Sequence, residues 1–78
     1  MITYGVVKET YLLGENEREA YGLVAYADAE EDGTATIVAL ASDLTDRREL
    51  VEALAVRCNR GNLSLIHFDD VVEDFLTG

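Results

Sequence analysis

The sequence predicts an α+β fold with the element order β-β-β-α-α, in which two helices pack on one face of a three-stranded antiparallel meander. Two observations support this prediction. The first half of the 78 residues is rich in Thr, Tyr, Val and Leu and is interrupted by two polar, glycine-containing segments, a composition typical of strands joined by turns. The second half carries two apolar stripes at helical spacing. The length indicates a single domain over residues 1–78.

Three strands are predicted, over residues 2–13, 18–27 and 34–41. The segments 14–17 and 28–33 separate them and read as turns, because Gly and Asn tolerate the left-handed backbone that turns require. Short connections between consecutive strands imply hairpins. The strands are apolar on both faces near their middle, as in residues 37–40, whereas a sheet with one solvated face should alternate. We therefore expect either helices on both faces or a second subunit on one of them.

Two helices are predicted in the second half. The stripe of the first consists of Leu50, Val51, Leu54, Ala55 and Cys58, and that of the second of Phe68, Val71, Val72, Phe75 and Leu76. Thr45 or Asp46 can cap the first helix, and Asp46 with Glu49 resembles a capping box. Gly61 is predicted to supply the left-handed residue that ends this helix. Residues 63–66 form a short link that can be extended.

The net charge of −10 is unevenly distributed. Residues 9–32 contain eight acids against one arginine, residues 61–78 contain four acids and no base, and residues 43–60 balance. Such a field repels nucleic acids and anionic membranes and attracts basic protein surfaces, although an acidic surface also serves plain solubility. Arginines of the first helix are expected to approach acids of the second. The arginines are Arg47, Arg48, Arg57 and Arg60, and the acids are Asp69, Asp70, Glu73 and Asp74.

Cysteine usage and the amino terminus predict a cytoplasmic protein. Cys58 is the only cysteine, which excludes an internal disulfide and fits a reducing compartment. The first residues show no basic segment followed by an apolar run, so no signal peptide is predicted. No apolar stretch approaches the roughly 20 residues of a membrane span. Because a chain of this size buries a small core and has no disulfide or zinc cluster, we expect self-association to stabilise it.

The sequence predicts neither an enzyme nor a bound cofactor. Cys58 and His67 are the only thiol and imidazole, but Cys58 lies on an apolar stripe, where a thiol packs as a small hydrophobic group and stays protonated. The segment 28–33 resembles the start of a calcium loop. It lacks the glutamate that such a loop needs six residues after its glycine, where Ala39 stands. No glycine-rich phosphate motif is present.

The candidate interaction residues are Tyr11, Tyr21, Tyr26, His67, Asp70 and Asp74. The histidine and the two aspartates share one side of the second helix, where imidazole and carboxylates could bind a divalent metal. The simpler interpretation is a helix cap beside a solvated acidic face. The tyrosines lie on predicted strands, where such side chains are cross-strand partners or protein contacts.

Several segments resemble a family of short bacterial proteins of unknown function, found in clostridia and their relatives. They are residues 21–26, 50–51, 58–59, 63–67 and 70–76. In that family a Tyr-Gly strand precedes a helix ending in Cys-Asn, and the chain closes on a segment like Leu-Ser-x-Ile-His-x-x-Asp-Val-Val-Glu-Asp-Phe-Leu. The resemblance spans most of the chain and is most specific in the closing segment. It implies a cytoplasmic bacterial protein and assigns no catalytic or ligand-binding residue.

The leading functional hypothesis is an accessory or regulatory protein that acts by binding another protein, whose surface would be basic if the acidic segments are used. With both helices on one sheet face, a homodimer is expected through the uncovered face or an edge strand. The alternative is a small-ligand or divalent-metal-binding module that uses His67 with the closing acidic helix, or a pocket between sheet and helices. A nucleic-acid mimic is a third hypothesis, supported by charge alone.

Overall fold

A computed structural model describes residues 2–28 and 33–78. Its elements are β1 (Ile2–Leu13), β2 (Asn16–Asp28), β3 (Ala35–Thr45), α1 (Arg48–Arg60), a 3-10 turn (Leu65–His67) and α2 (Phe68–Thr77). The strands form one antiparallel sheet in the order β1-β2-β3. These elements confirm the predicted α+β fold, a meander followed by two helices.

The first hairpin is tighter than the sequence predicts. Leu13 pairs with Asn16, so only residues 14 and 15 form the turn. Gly14 adopts a φ of 66°, the left-handed backbone expected of it. Residues 16 and 17 join the ladder opposite Leu13 and Leu12. In the second predicted turn, residues 29–32 lie outside the described residues, and so does the segment that resembles a calcium loop.

Strand β3 runs four residues beyond its predicted end, to Thr45. Its pairing with β2 is irregular at two places, one between Tyr21 and Leu23 and one between Ala25 and Tyr26 of β2. Asp43 lies within the extension and has a φ of 55°, which aspartate tolerates better than most residues. The polar pair at 42 and 43 resembles a turn in the sequence, but a bulge accommodates it and the strand continues.

The predicted capping box at the start of α1 is wrong. The N-cap residue is Arg47, whose backbone N–H donates to the Thr45 hydroxyl at 3.1 Å. The Glu49 carboxylate does not reach back to a residue 46 amide as a capping box requires. It accepts a hydrogen bond from the Arg47 guanidinium at 2.9 Å instead. Neither Thr45 nor Asp46 is therefore the N-cap residue, although the Thr45 hydroxyl accepts a hydrogen bond just before the helix.

The end of α1 also differs by one residue from the prediction. Gly61 is right-handed, with a φ of −81°, and Asn62 holds the left-handed backbone with a φ of 51°. The Leu63 N–H donates to the Cys58 carbonyl and the Asn62 N–H to that of Asn59. This is a Schellman motif with asparagine in the place that glycine usually takes. The predicted link over residues 63–66 is not wholly extended, because Leu65–His67 form the 3-10 turn.

The core lies between one face of the sheet and the two helices. Leu23 and Ala25 of β2 are fully buried there against Val51 of α1. Phe68 at the start of α2 stacks on Tyr4 of β1 with ring centroids 6.3 Å apart. Each large apolar side chain that is fully buried contributes about 1.5–3 kcal/mol. Since both helices pack on this face, the opposite face of the sheet has no helix over it.

In the parts of the chain that the structure describes, no helix combines the length and the apolar composition needed to cross a bilayer.

Candidate functional site

The sheet face that the helices leave uncovered, called here the open face, is apolar over half its length. Strand alternation places Val7, Val24 and Tyr26 on it, with Ile37 and Leu40 of β3 beside them. The Tyr26 ring and a Val24 methyl lie over Gly5, each within 4 Å of where a Cβ would stand. Val24 is only 1% exposed as a result. Tyr26 and Val24 thus cover the middle of the open face, while the apolar side chains of β3 are exposed to solvent.

Three neighbouring side chains of β3 form an exposed apolar group on this strand. Ile37 is 58% exposed, Val38 40% and Leu40 51%, and we call these residues the β3 patch. Residues 33–42 carry no formal charge. Natural edge strands are usually protected by lysine, proline, a bulge or a covering element. Of these devices, β3 has only its bulges.

At Tyr4, the other edge of the sheet is bound by Asn59 of α1. Its amide oxygen accepts a hydrogen bond from the Tyr4 N–H at 2.7 Å, and its amide nitrogen donates to the Tyr4 carbonyl at 2.9 Å. Asn59 therefore satisfies both outward backbone groups of Tyr4, as a paired strand would. The Tyr4 hydroxyl donates to the Leu63 carbonyl at 2.9 Å. The sequence analysis missed this pair, although the Cys58-Asn59 segment of the family resemblance contains one of its members.

The far end of the open face carries a polar cluster that fixes the bulge of β3. The Arg18 guanidinium binds both carboxylate oxygens of Asp43, at 3.0 and 2.9 Å, and lies 5.1 Å from the centre of the Tyr11 ring. Glu9 accepts hydrogen bonds from the Tyr11 hydroxyl and the Asp43 N–H. Hydrogen bonding to Arg18 lowers the pKa of Asp43, and hydrogen bonding to Glu9 raises the pKa of Tyr11.

Gly22 lies where the backbone of β3 approaches β2 most closely. A Cβ at this position would stand 2.3 Å from the Ala41 carbonyl oxygen and 3.2 Å from a Glu9 carboxylate oxygen. No side chain can occupy that space unless the β3 backbone moves. The Tyr-Gly pair in the family resemblance therefore has a structural reason, which is the close approach beside the bulge.

A cleft of about 820 Å³ separates α1 from α2. It is lined by Leu44, Thr45, Leu50, Leu54, Arg57, Cys58, Gly61, Leu63, Val71, Asp74, Phe75, Leu76 and Gly78. Leu54 and Cys58 are almost fully buried, whereas Leu50 and Leu76 are 41% and 61% exposed. Burial raises the pKa of the Cys58 thiol, with Arg57 acting weakly in the other direction. The cleft thus has an apolar interior and a rim that is apolar at Leu50 and Leu76 and charged at Arg57 and Asp74.

The structure distributes the predicted interaction residues over different surfaces. Tyr11 and Tyr26 lie on the open face, at its polar end and its apolar end. Tyr21 lies on the opposite face, where it packs against the core. The two aspartates of α2 are also separated, since Asp74 lines the cleft while Asp70 is paired with His67 outside it.

His67 occupies the N-cap position of α2 but makes no capping hydrogen bond with its side chain. Its Nδ1 lies 3.8 Å from an Asp70 carboxylate oxygen, and both side chains are exposed. Among the described residues, no group of three His, Cys, Asp or Glu side chains has the geometry to hold a metal ion. The predicted combination of His67, Asp70 and Asp74 is not such a group.

The predicted ion pairs between the two helices are absent from the described part of the chain. Arg47 pairs with Glu49 at 2.9 Å and Arg48 with Glu52 at 2.6 Å, both on the exposed side of α1. These local partners, two and four residues away, are reached at little entropic cost, whereas the cleft separates Arg57 from the acids of α2. The acids of α2 therefore form a solvated row, apart from the contact of Asp70 with His67.

These features define a small α+β domain with one helix-covered sheet face, one open face and a cleft between its helices. The chain belongs to a family of unknown function, DUF6514, which matches residues 1–78. This match confirms the resemblance to an uncharacterised family, and it indicates neither catalysis nor a specific function. No curated protein and no solved structure matches the chain.

Proposed function

We propose that this chain is a non-catalytic binding module that self-associates through β3 and offers its acidic surface to a basic protein. The observation that carries the proposal is the β3 patch, three exposed apolar side chains on an edge strand that no element of the described residues covers. The β1 edge is satisfied at Tyr4 by Asn59, so the two edges differ in what they can accept.

A second copy of the chain is the occupant that the charges favour. Two molecules that each carry −10 repel one another, and their acids must stay apart for a stable contact. Residues 33–42 have no charge, so a contact centred on the β3 patch has uncharged residues at its middle. A two-fold axis beside β3 would place the β3 patches of both copies next to each other.

The bulges of β3 shape this contact. Regular pairing with β2 is limited to short stretches on either side of Val38, so the outward backbone groups offer only a short ladder to a second copy. The β3 patch must therefore supply much of the buried area, because a stable interface needs about 1,000 Å² or more. Apolar substitutions in the patch should consequently be tolerated, and charged ones should not.

The oligomeric state tests the self-association. Size-exclusion chromatography with light scattering should give a dimer for the wild type at tens of micromolar, and a monomer for Leu40→Lys. Leu12→Lys is the matched control, since Leu12 is 71% exposed on β1 and should leave the dimer intact. Circular dichroism establishes that each variant is folded. A monomeric wild type, or a dimeric Leu40→Lys variant, would refute the role of β3.

The second part of the proposal concerns the acidic row on α2. Asp69 and Glu73 are exposed and have no ion pair among the described residues, so they remain available to a basic surface. A lysine-rich peptide is the probe. The double variant Asp69→Asn with Glu73→Gln should bind the peptide more weakly than the wild type. The control, Glu49→Gln with Glu52→Gln on α1, should lose less affinity, because these two acids already pair with arginines. Equal losses in the two double variants would contradict this assignment.

The proposed setting is the bacterial cytoplasm. The family resemblance supports it, as does the single buried thiol of Cys58, which is typical of proteins kept reduced. Fractionation of the source cells with an antibody against the chain tests it, and recovery outside the cytoplasmic fraction would overturn it.

A further inference from the structure

The cleft between α1 and α2 is open to solvent and has a volume of about 820 Å³. That volume lies in the range of small-molecule sites, which are mostly apolar with a few placed polar groups. Near the cleft, α1 packs mainly on β1 and β2, whereas α2 contacts β3.

The side of α1 that lines the cleft is apolar along most of its length and charged at one end. Leu50, Leu54 and Arg57 all line it, and they follow one another at helical spacing. Leu50 and Arg57 are seven positions apart, which corresponds to about 10 Å along a helix. The wall therefore offers an apolar surface of that length which ends at a guanidinium group.

Arg57 differs from the arginines that begin α1. Arg47 and Arg48 have carboxylate partners, but no carboxylate among the described residues lies within ion-pair distance of Arg57. Asp74 lines the opposite wall without forming an ion pair with it. A planar guanidinium beside apolar surface is well suited to bind a carboxylate through two parallel hydrogen bonds. Asp74 disfavours a second anionic group on the same ligand.

We propose that this cleft binds a small amphiphilic carboxylate, with its single acid group at Arg57 and its apolar body along Leu54 and Leu50. The net charge of −10 repels anions at long range. Binding therefore depends on local contact with Arg57 and on burial of the apolar body. The site is independent of β3 self-association, since the β3 patch and the cleft share no residue.

Titration calorimetry with decanoate and 1-decanol, both below their micellar or solubility limits, tests the proposal. The wild type should bind decanoate saturably and prefer it over 1-decanol about tenfold, as expected for charge-assisted hydrogen bonds. Arg57→Gln should lose that preference while it retains 1-decanol binding. Arg60→Gln is the matched control, because Arg60 lies one turn further along α1, is exposed, and does not line the cleft.

Three results of these titrations would contradict the proposal, and a fourth measurement separates it from the β3 contact. Absence of saturable decanoate binding at millimolar concentrations would overturn the proposal, and so would an unchanged preference in Arg57→Gln. An equal loss in Arg60→Gln would show a general charge effect and would also overturn it. Decanoate binding by the Leu40→Lys variant should match the wild type, so failure of the β3 contact and failure of the cleft are distinguished. Thermal denaturation of each variant shows whether it is folded.

Discussion

Replacing Asn59 with alanine should open the β1 edge of the sheet at Tyr4. The substitution removes the hydrogen bonds of 2.7 and 2.9 Å that bind the Tyr4 N–H and carbonyl. Each is worth about 0.5–1.5 kcal/mol, so their loss costs about 1–3 kcal/mol. Alanine is the better helix former by roughly half a kcal/mol. The free energy of unfolding should therefore fall by about 0.5–2.5 kcal/mol.

This change is large compared with the stability of so short a chain. At 0.05–0.15 kcal/mol per residue, 78 residues correspond to about 4–12 kcal/mol. Urea unfolding measures the loss directly, because a small domain with an m-value near 1 kcal/mol/M should show a midpoint lowered by about 0.5–2.5 M. Arg60→Ala provides the control, since its side chain has no hydrogen bond or ion pair among the described residues.

Hydrogen exchange identifies the cause of the loss. The Tyr4 amide points away from β2 and is protected only by Asn59, so its exchange should become fast in Asn59→Ala while the Leu23 amide stays slow. Asn59→Asp keeps an acceptor for the Tyr4 N–H but cannot donate to its carbonyl, and should be intermediate. If Asn59→Ala and Arg60→Ala have the same midpoint, or if the Tyr4 amide stays protected, the reasoning fails.

Three further predictions follow from other positions. Gly22→Ala should destabilise the chain by about 1–3 kcal/mol or more in urea unfolding, because its Cβ would overlap a β3 carbonyl. Gly5→Ala is the control and should be tolerated, because a Cβ at Gly5 meets only contacts beyond 3.5 Å. Arg18 lowers the pKa of Asp43. The ionised Asp43 carboxylate therefore stabilises the folded chain above about pH 4, and this contribution is lost as the pH falls through the pKa of Asp43 in the folded state. The Tm difference between wild type and Asp43→Asn should therefore shrink in acid. The pKa of Tyr4 is raised by burial, so stability should decline as pH rises above about 10, and Tyr4→Phe should decline less.

Each of these has a clear contrary result. Equal stabilities of the two glycine variants would show that the β3 backbone yields without cost. A Tm difference for Asp43→Asn that is constant from neutral to acid pH would remove the linkage to Arg18. An alkaline decline of the same size in Tyr4→Phe would assign that decline to other tyrosines.

The sequence was most informative where the spacing or identity of a residue allows a single structural role. The stripes of α1 and α2 follow from helical spacing, and every member of the α1 stripe except Leu50 is buried. Gly14 was predicted to take a left-handed turn position and does so. The same reasoning failed at Gly61, because Asn62 can adopt the same backbone and only the hydrogen bonds of the Schellman motif decide between neighbours.

Composition and spacing by themselves determined the element order, the antiparallel pairing and the uneven charge, since these depend on local propensity, short connections and residue identity. Only the tertiary structure decided which sheet face is covered and that Asn59 binds the β1 edge at Tyr4. It also decided that the bulge of β3 requires Gly22 and that Arg57 lines a cleft without an ion pair to the acids of α2. These outcomes depend on contacts between residues far apart in the chain. Local sequence patterns cannot specify these contacts, because any of several distant residues could pair with the same backbone group or charge.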